Sequence, residues 1–485
     1  MGVPKSILVP FVGVEFDNSR AVSGAATLPV QVLIIGQKLA TGTGAAETQL
    51  LVSDADTVGK LAGFGSMAHR QAIKYFANNN VSTTYVILLD DAATATASTT
   101  EVTIAGTSTT TGELAFLVNG DRYAVPVADG DEAADLATAT AAAINANPNA
   151  PATAAASLGV VTLTAKNKGV AAGEIVVIPN YYAGEETPEG LTFTAAATTA
   201  GTIDPDIQDA IDVIGDSWYT QYTAPYTDAT NLEAIETYLL DQAGPMTMKD
   251  GLYYAAKKGT RSELITFATD GLRNCQYVVV MDAENIPQAT YEIAAAATGR
   301  VAESTADDTA VPLHKMELTG ILPAAKEVRY TLIERNQLAE NGIMTLTHDL
   351  GVQTDGTVTM YLKNAAGASD GSYQQQNTMY QIMYARYTFV QRILLRYPRA
   401  KLADNIDRLQ SNQQVMTPDV GITEAVSWFL QLEAQGILEN VAQFKNDVRC
   451  IRPDGYPNRL EWLLPPDLVN QFIVGSADLQ FRLQG

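Results

Sequence analysis

The 485-residue chain has two cysteines, three histidines and no long apolar run. Cys275 and Cys450 lie far apart in no metal-like spacing, which argues against a disulfide framework and against a zinc site. His69, His314 and His348 are scattered without ligand-spaced companions. There is no H-E-x-x-H helix and no cysteine–histidine signature, so no catalytic residue, metal ligand or cofactor contact is assigned. No stretch reaches the roughly 20 apolar residues of a membrane span. Val3-Pro4 and Val9-Pro10 stand where a signal peptide would be continuously helical, so folding in a cytoplasm is expected, without membrane insertion. Positive charge is scarce too: 31 Lys+Arg against 54 Asp+Glu leave a net charge of −23, which disfavours direct nucleic-acid binding.

What is present is globular. A hydrophobic content of 46% can build packed cores, and the length suits about three domains. Residues 1–20 read as an extended arm, in which Ile7, Val9, Phe11, Val14 and Phe16 partly alternate with no hairpin partner in sequence. An unpaired strand needs a sheet edge, in its own domain or in another copy. Residues 21–91 and 204–340 read as one α/β domain. The buried strands Val30–Gly36 and Tyr85–Leu89 come first, followed by strands at 219–225, 251–256 and 277–281 alternating with helices at 206–214, 230–242, 261–272 and 287–302. Such alternation implies a mainly parallel sheet.

Residues 92–203 interrupt that rhythm. They are rich in Ala, Thr and Gly, with short strands at 101–104, 113–118, 122–127, 160–164 and 175–178 and one helix at 132–145. Three basic side chains stand against eleven acidic ones, so an acidic β-rich insertion domain is expected. A helix is expected over 325–340, stopped by Gly342. Residues 341–467 read as a C-terminal α+β domain with strands at 343–348 and 357–362, a helix from Gln375 to Tyr397 ended by Pro398, and a helix capped by Thr417-Pro418 and running to about Gln435. Later strands are expected at 448–452, 460–464 and 469–474. Residues 468–485 read as a second arm carrying Phe472, Val474, Leu479, Phe481 and Leu483.

Four features invite chemistry. Thr41-Gly42-Thr43-Gly44 follows a strand as a phosphate loop does, but lacks GxGxxG and the P-loop lysine. Asp282 ends a strand, where a turn role is favoured over a functional carboxylate. Tyr181-Tyr182 and Tyr253-Tyr254 could stack sugars, although half-buried strand tyrosines are commoner. The fourth feature is charge. Residues 372–485 hold equal numbers of acidic and basic side chains, so the net −23 falls on the preceding residues, and no Asp or Glu occurs between Gly371 and Ala403. Arg392, Arg396 and Arg399 recur at i, i+4 and i+7 beside an apolar face of Ile382, Phe389, Val390 and Ile393, with Lys401 just beyond. Arg386 falls inside the apolar arc, where it must snorkel or pair with a distant carboxylate.

An ordered series of segments carries a resemblance. Asp17-Asn18-Ser19-Arg20, Leu28-Pro29 and Val32-Leu33-Ile34-Ile35-Gly36-Gln37 resemble the N-terminal signature of contractile-tail sheath proteins of the Mu-like phage branch. Leu163-Thr164-Ala165-Lys166-Asn167-Lys168-Gly169 and Asn180-Tyr181-Tyr182-Ala183-Gly184-Glu185 resemble that family's outer domain. Asp370-Gly371-Ser372-Tyr373, the Arg386 helix and Tyr397-Pro398-Arg399-Ala400-Lys401-Leu402-Ala403-Asp404 resemble its C-terminal core. The resemblance implies a non-enzymatic subunit without cofactor, stacked as hexameric rings around a tail tube in a virion tail assembled in the host cytoplasm. Its implied partners are further copies, the tail tube protein, and baseplate and terminator proteins. Both arms would add strands to neighbouring copies, and Arg392, Arg396, Arg399 and Lys401 would face the tube. An α/β enzyme or a glycan-binding adhesin built on residues 92–203 are the competing readings.

Overall fold

The computed structural model describes residues 28–270, 274–405 and 414–482, which form two compact units: 29–380 with the tail from Gln471, and 381–470. The expected N-terminal arm residues Ile7, Val9, Phe11, Val14 and Phe16, and Leu483, lie outside the described residues.

The larger unit is built on a seven-stranded sheet. Its spatial order is Ile343–Met344, Val278–Asp282, Leu252–Lys257, Gln221–Thr223, Gln31–Gln37, Thr83–Leu89 and Gln49–Val52, parallel throughout except for the last pair. Val32 to Ile35 and Val278 to Met281 are buried on both faces, as β-branched runs in a parallel sheet must be. The helix Met67–Asn78 starts where the Ser66 hydroxyl accepts from His69 N. It packs on Thr290–Asp307, and Gly299 permits the approach, since a Cβ there would sit 2.8 Å from the Tyr75 carbonyl.

Inside this helix pair Arg70 is almost wholly buried. Its Nε donates to Glu292 Oε1 at 2.6 Å, Nη1 donates to Asp121 and to the Asn149 carbonyl, and Nη2 donates to the Asn119 carbonyl. Burial opposes the guanidinium charge, but Glu292 and Asp121 more than offset it. The same burial raises the pKa of Glu292, against the pull of Arg70 and Lys74.

The chain leaves this sheet after Leu89 and rejoins it at Gln221. Between lie a four-stranded antiparallel sheet, ordered Leu191–Ala195, Thr99–Gly106, Val160–Ala165 and Ala152–Ser157, and a three-stranded one, Asp121–Val127, Gly112–Val118 and Val177–Pro179. The helix Ala133–Ala146 covers a core of Val102, Ile104, Phe116, Leu136, Val161 and Leu163. Strands Ala152–Ser157 and Leu191–Ala195 were not expected: runs such as ATAAAS lack the branched residues that mark strands, and pairing places them.

Residues 341–380 depart furthest from expectation. Ile343–Met344 completes the parallel sheet, and Leu346–Thr347 pairs with Gln353–Thr354. Residues 357–362 are not a strand: Met360 N donates to Val278 O and Thr359 N to Gln374 O, so the segment spends its hydrogen bonds singly. The two compact units divide at Tyr380/Gln381, within the long helix Gln376–Arg396. The helix expected over 325–340 is a 3-10 turn, Lys326–Val328, and then Leu332–Glu340, restarted by a Thr331/Glu334 capping box.

Candidate assembly surfaces

The smaller unit holds an aromatic core. Phe389 on the long helix meets Trp428 edge-on at 5.3 Å and Trp462 at 5.8 Å, and Phe429 stacks on Phe444 at 4.3 Å. Trp428 comes from the helix Pro418–Ala434, whose N-terminus is capped by Thr417 as its sequence implies, and its indole N–H donates to Thr388 Oγ1 at 2.9 Å. Around this core the described strands occur only in pairs: Lys401–Leu402 with Val415–Met416, Leu438–Glu439 with Asp467–Leu468, and Arg449–Ile451 with Glu461–Leu463. Two-stranded ribbons are marginal alone; a third strand or more is what normally stabilises them. Ile451 and Leu463 on the last ribbon are exposed.

The tail, described with the larger unit, has the opposite surplus. The strand expected over 469–474 does not form, and among the described residues 472–482 make no backbone hydrogen bond. Phe472, Val474, Leu479 and Phe481 are exposed at 78%, 81%, 87% and 78%.

The basic stripe is narrower than the sequence suggests. Arg392 Nε donates to Glu424 Oε2 at 2.7 Å and its Nη1 to Gln431 Oε1 at 2.7 Å, leaving the side chain 9% exposed. Arg392 is therefore an internal strut. Arg396 shares Glu424 at 3.2 Å but stays about half exposed, and Tyr397 Oη donates to the same carboxylate at 2.9 Å. Burial works against the Glu424 charge, and the Tyr397 hydroxyl and both guanidiniums overcome it, holding its carboxyl below the usual range. Arg399 and Lys401 are exposed and form no ion pair among the described residues. The carboxylate that answers the arginines is on another helix, which a search along one helix cannot find. One signal was readable: Glu424 falls in the stripe Gly421, Ala425, Trp428 and Leu432, so a charge sits on an apolar face.

The other candidates resolve into structure. Gly42, Thr43 and Gly44 donate their amides to the carbonyls of Leu39, Lys60 and Leu61, so this loop has no amide cradle to offer a phosphate. Tyr253 and Tyr254 are fully buried, with Tyr253 Oη donating to Tyr226 O and Tyr254 Oη paired with Tyr380 Oη. Tyr181 donates to Pro323 O, and Tyr182 meets it edge-on. His69 and His348 accept backbone N–H groups at Nδ1, and burial pushes each pKa down to about 4. Cys275 and Cys450 are buried free thiols. No group of three or more potential metal ligands occurs among the described residues, and no described helix is long and apolar enough to cross a membrane.

Asp282 takes the turn role, its Oδ1 accepting from Glu284 N at 3.0 Å, while burial pushes its pKa up to about 7. The folded chain thus holds a proton that the unfolded chain releases near pH 4, so this contribution to stability falls as pH rises from about 4 to 7. Asp282→Asn keeps the acceptor and removes the titration. It should stabilise the chain by about 4 kcal/mol at pH 8, with the gain vanishing near pH 4, in denaturant titrations at both pH values. An equal gain at both would show that the carboxylate is not the cause.

Among the described residues, then, the smaller unit carries two-stranded ribbons and the tail carries exposed apolar side chains on backbone without hydrogen bonds. Residues 200–360 match the family model of the phage tail sheath protein central domain. Over 483 residues the chain is 34% identical to the Mu-like prophage FluMu tail sheath protein of Haemophilus influenzae, spanning 99% of each. Its fold is similar to a chain in the cryo-EM structure of the anti-feeding prophage baseplate, at 13% identity and a TM-score of 0.50, covering 98% of this chain and 99% of that one. The chain belongs to the phage tail sheath family, as its ordered segments imply, and is a structural protein of phage tails.

Proposed function

We propose that copies of this chain join by strand addition into stacked hexameric rings around a tail tube, and that contraction of this sheath drives the tube through the host envelope. The observation that carries the reading is that, among the described residues, the ribbons stop at two strands while the tail bears exposed apolar side chains on backbone without hydrogen bonds. Main-chain hydrogen bonds between copies would hold neighbours while the arms bend, and residues 7–16 supply a second donor strand. Such contacts are heterologous and propagate along a helix. No cofactor or nucleotide enters: energy comes from a few kcal/mol of interface gained per subunit, summed over many copies, when a baseplate signal releases a trapped extended state. Baseplate and terminator proteins bound the sheath, and assembly takes place in the host cytoplasm before the tail joins the virion. The direct test is electron microscopy of the purified chain, which should show cylinders; uniformly small particles at high concentration would overturn the reading.

The tube contact rests on Arg399, Lys401 and the outer edge of Arg396, with Arg392 excluded by its pairing. Exposed ion pairs are worth under about 1 kcal/mol each and weaken with salt, which suits a surface that must let go. Arg399→Glu with Lys401→Glu should reduce co-sedimentation with tail tubes at least tenfold at low salt and leave tube-free cylinders intact. Undiminished tube binding would remove this face from the proposal.

A further inference from the structure

A domain joined to its host by two single-chain crossings is expected to hinge there, because such interfaces move unless something fixes them. Here the outgoing crossing carries Asp91 and the returning one Asp204, and both reach the same loop, 167–171, which belongs to neither. Four consecutive amides of that loop are donated to the crossings: Lys168 N to Asp91 Oδ2 at 3.0 Å, Gly169 N to Thr96 O at 3.1 Å, and Val170 N and Ala171 N to Asp204 Oδ1 at 2.8 and 2.9 Å. Gly169, at φ +114°, lets the loop turn so that its amides reach both crossings, and a Cβ there would stand 2.7 Å from Asp204 Oδ1.

The loop is tied to the sheet as well. Asn167 Oδ1 accepts from Met67 N at 2.9 Å, and its Nδ2 donates to Lys38 O and Asp91 Oδ1. Gln37, at the end of its strand, donates to Asp91 Oδ1 and to Lys168 O. Elsewhere along the junction, Glu174 Oε2 accepts from the Thr290 backbone and hydroxyl at the start of a sheet-unit helix, and its Oε1 faces Lys258. Hydrogen bonds to a carboxylate are roughly twice as strong as neutral ones, and here they tie backbone to backbone through one short side chain.

We propose that Asp91, Asn167 and Asp204 form a clasp that makes residues 92–203 and the seven-stranded sheet a single mechanical body, so that no rearrangement of the assembled protein bends at these crossings. The inference does not depend on what the copies assemble into. Hydrogen–deuterium exchange on the purified full-length chain tests it. The amides of 168–171 should exchange within about tenfold of those of Val32 to Ile35, since a clasp opens only when the sheet does. Exchange a hundredfold faster than the sheet would reveal a hinge and overturn the proposal. Asp91→Ala with Asp204→Ala should speed exchange at 168–171 at least tenfold and leave Val32 to Ile35 unchanged; no change at 168–171 would also overturn it. Should that variant not fold, the wild-type comparison decides alone.

Discussion

Replacing Arg70 with methionine is expected to destabilise the chain by about 3–5 kcal/mol, the cost of stranding a buried charge whose partner has gone. Glu292 has no exposure, and its next cation is Lys74 Nζ at 3.9 Å. Asp121 and the carbonyls of Asn119 and Asn149 lose their donors at the same stroke. Methionine fills a similar volume, so the loss reports electrostatics more than packing. Lysine will not rescue it, because one ammonium cannot span four acceptors that a planar fork reaches together. The deficit has a pH signature. Without Arg70 the Glu292 pKa rises further, so the folded variant takes up a proton that the unfolded chain binds only near pH 4, and the deficit shrinks as pH falls from 8 towards 5. Adding Glu292→Gln should recover part of the loss at pH 8. Denaturant midpoints for the single and double variants measure all of this, and a single variant within about 1 kcal/mol of wild type would show that the pair is dispensable.

Deleting residues 471–485 should abolish cylinders while leaving a folded chain. The tail's apolar side chains are exposed in the single chain, so their loss removes little buried surface, and the melting temperature should move by only a few degrees. Between copies the account is different. Adding a strand of four to six hydrogen bonds at about 1 kcal/mol each, together with buried aromatics, exceeds the ordering cost by roughly 4 kcal/mol, which raises the concentration needed for polymerisation about a thousandfold when it is lost. Phe472→Ser with Phe481→Ser, which keeps the length, should act in the same direction. Cylinders forming at the wild-type concentration after the deletion would sink strand addition by this tail.

Local signals marked most elements. Val32 to Ile35 and Val278 to Met281 are legible as buried strands because branched apolar runs suit a sheet covered on both faces. Thr417-Pro418 and Tyr397-Pro398 mark helix ends because their chemistry acts within one turn. Residues 357–362 mislead because alternation shows which side chains are buried and leaves open whether a neighbouring backbone lies in register. The arginine stripe misleads for a related reason: helical spacing groups Arg392 with Arg396, but Glu424, 32 residues away from Arg392, decides which of them is spent inside.

By itself the sequence determined the α/β class, the interruption of its strand–helix rhythm, the uneven charge and the family. All of these are properties of order and periodicity along the chain. Tertiary structure alone decided that Asp91 and Asp204 meet one loop, that Arg70 is sealed among three carbonyl and carboxylate groups besides Glu292, and that the basic face reduces to Arg399, Lys401 and part of Arg396. Each depends on residues tens to hundreds of positions apart arriving within hydrogen-bonding distance, and charge pairing and burial fix that only once the chain has closed on itself.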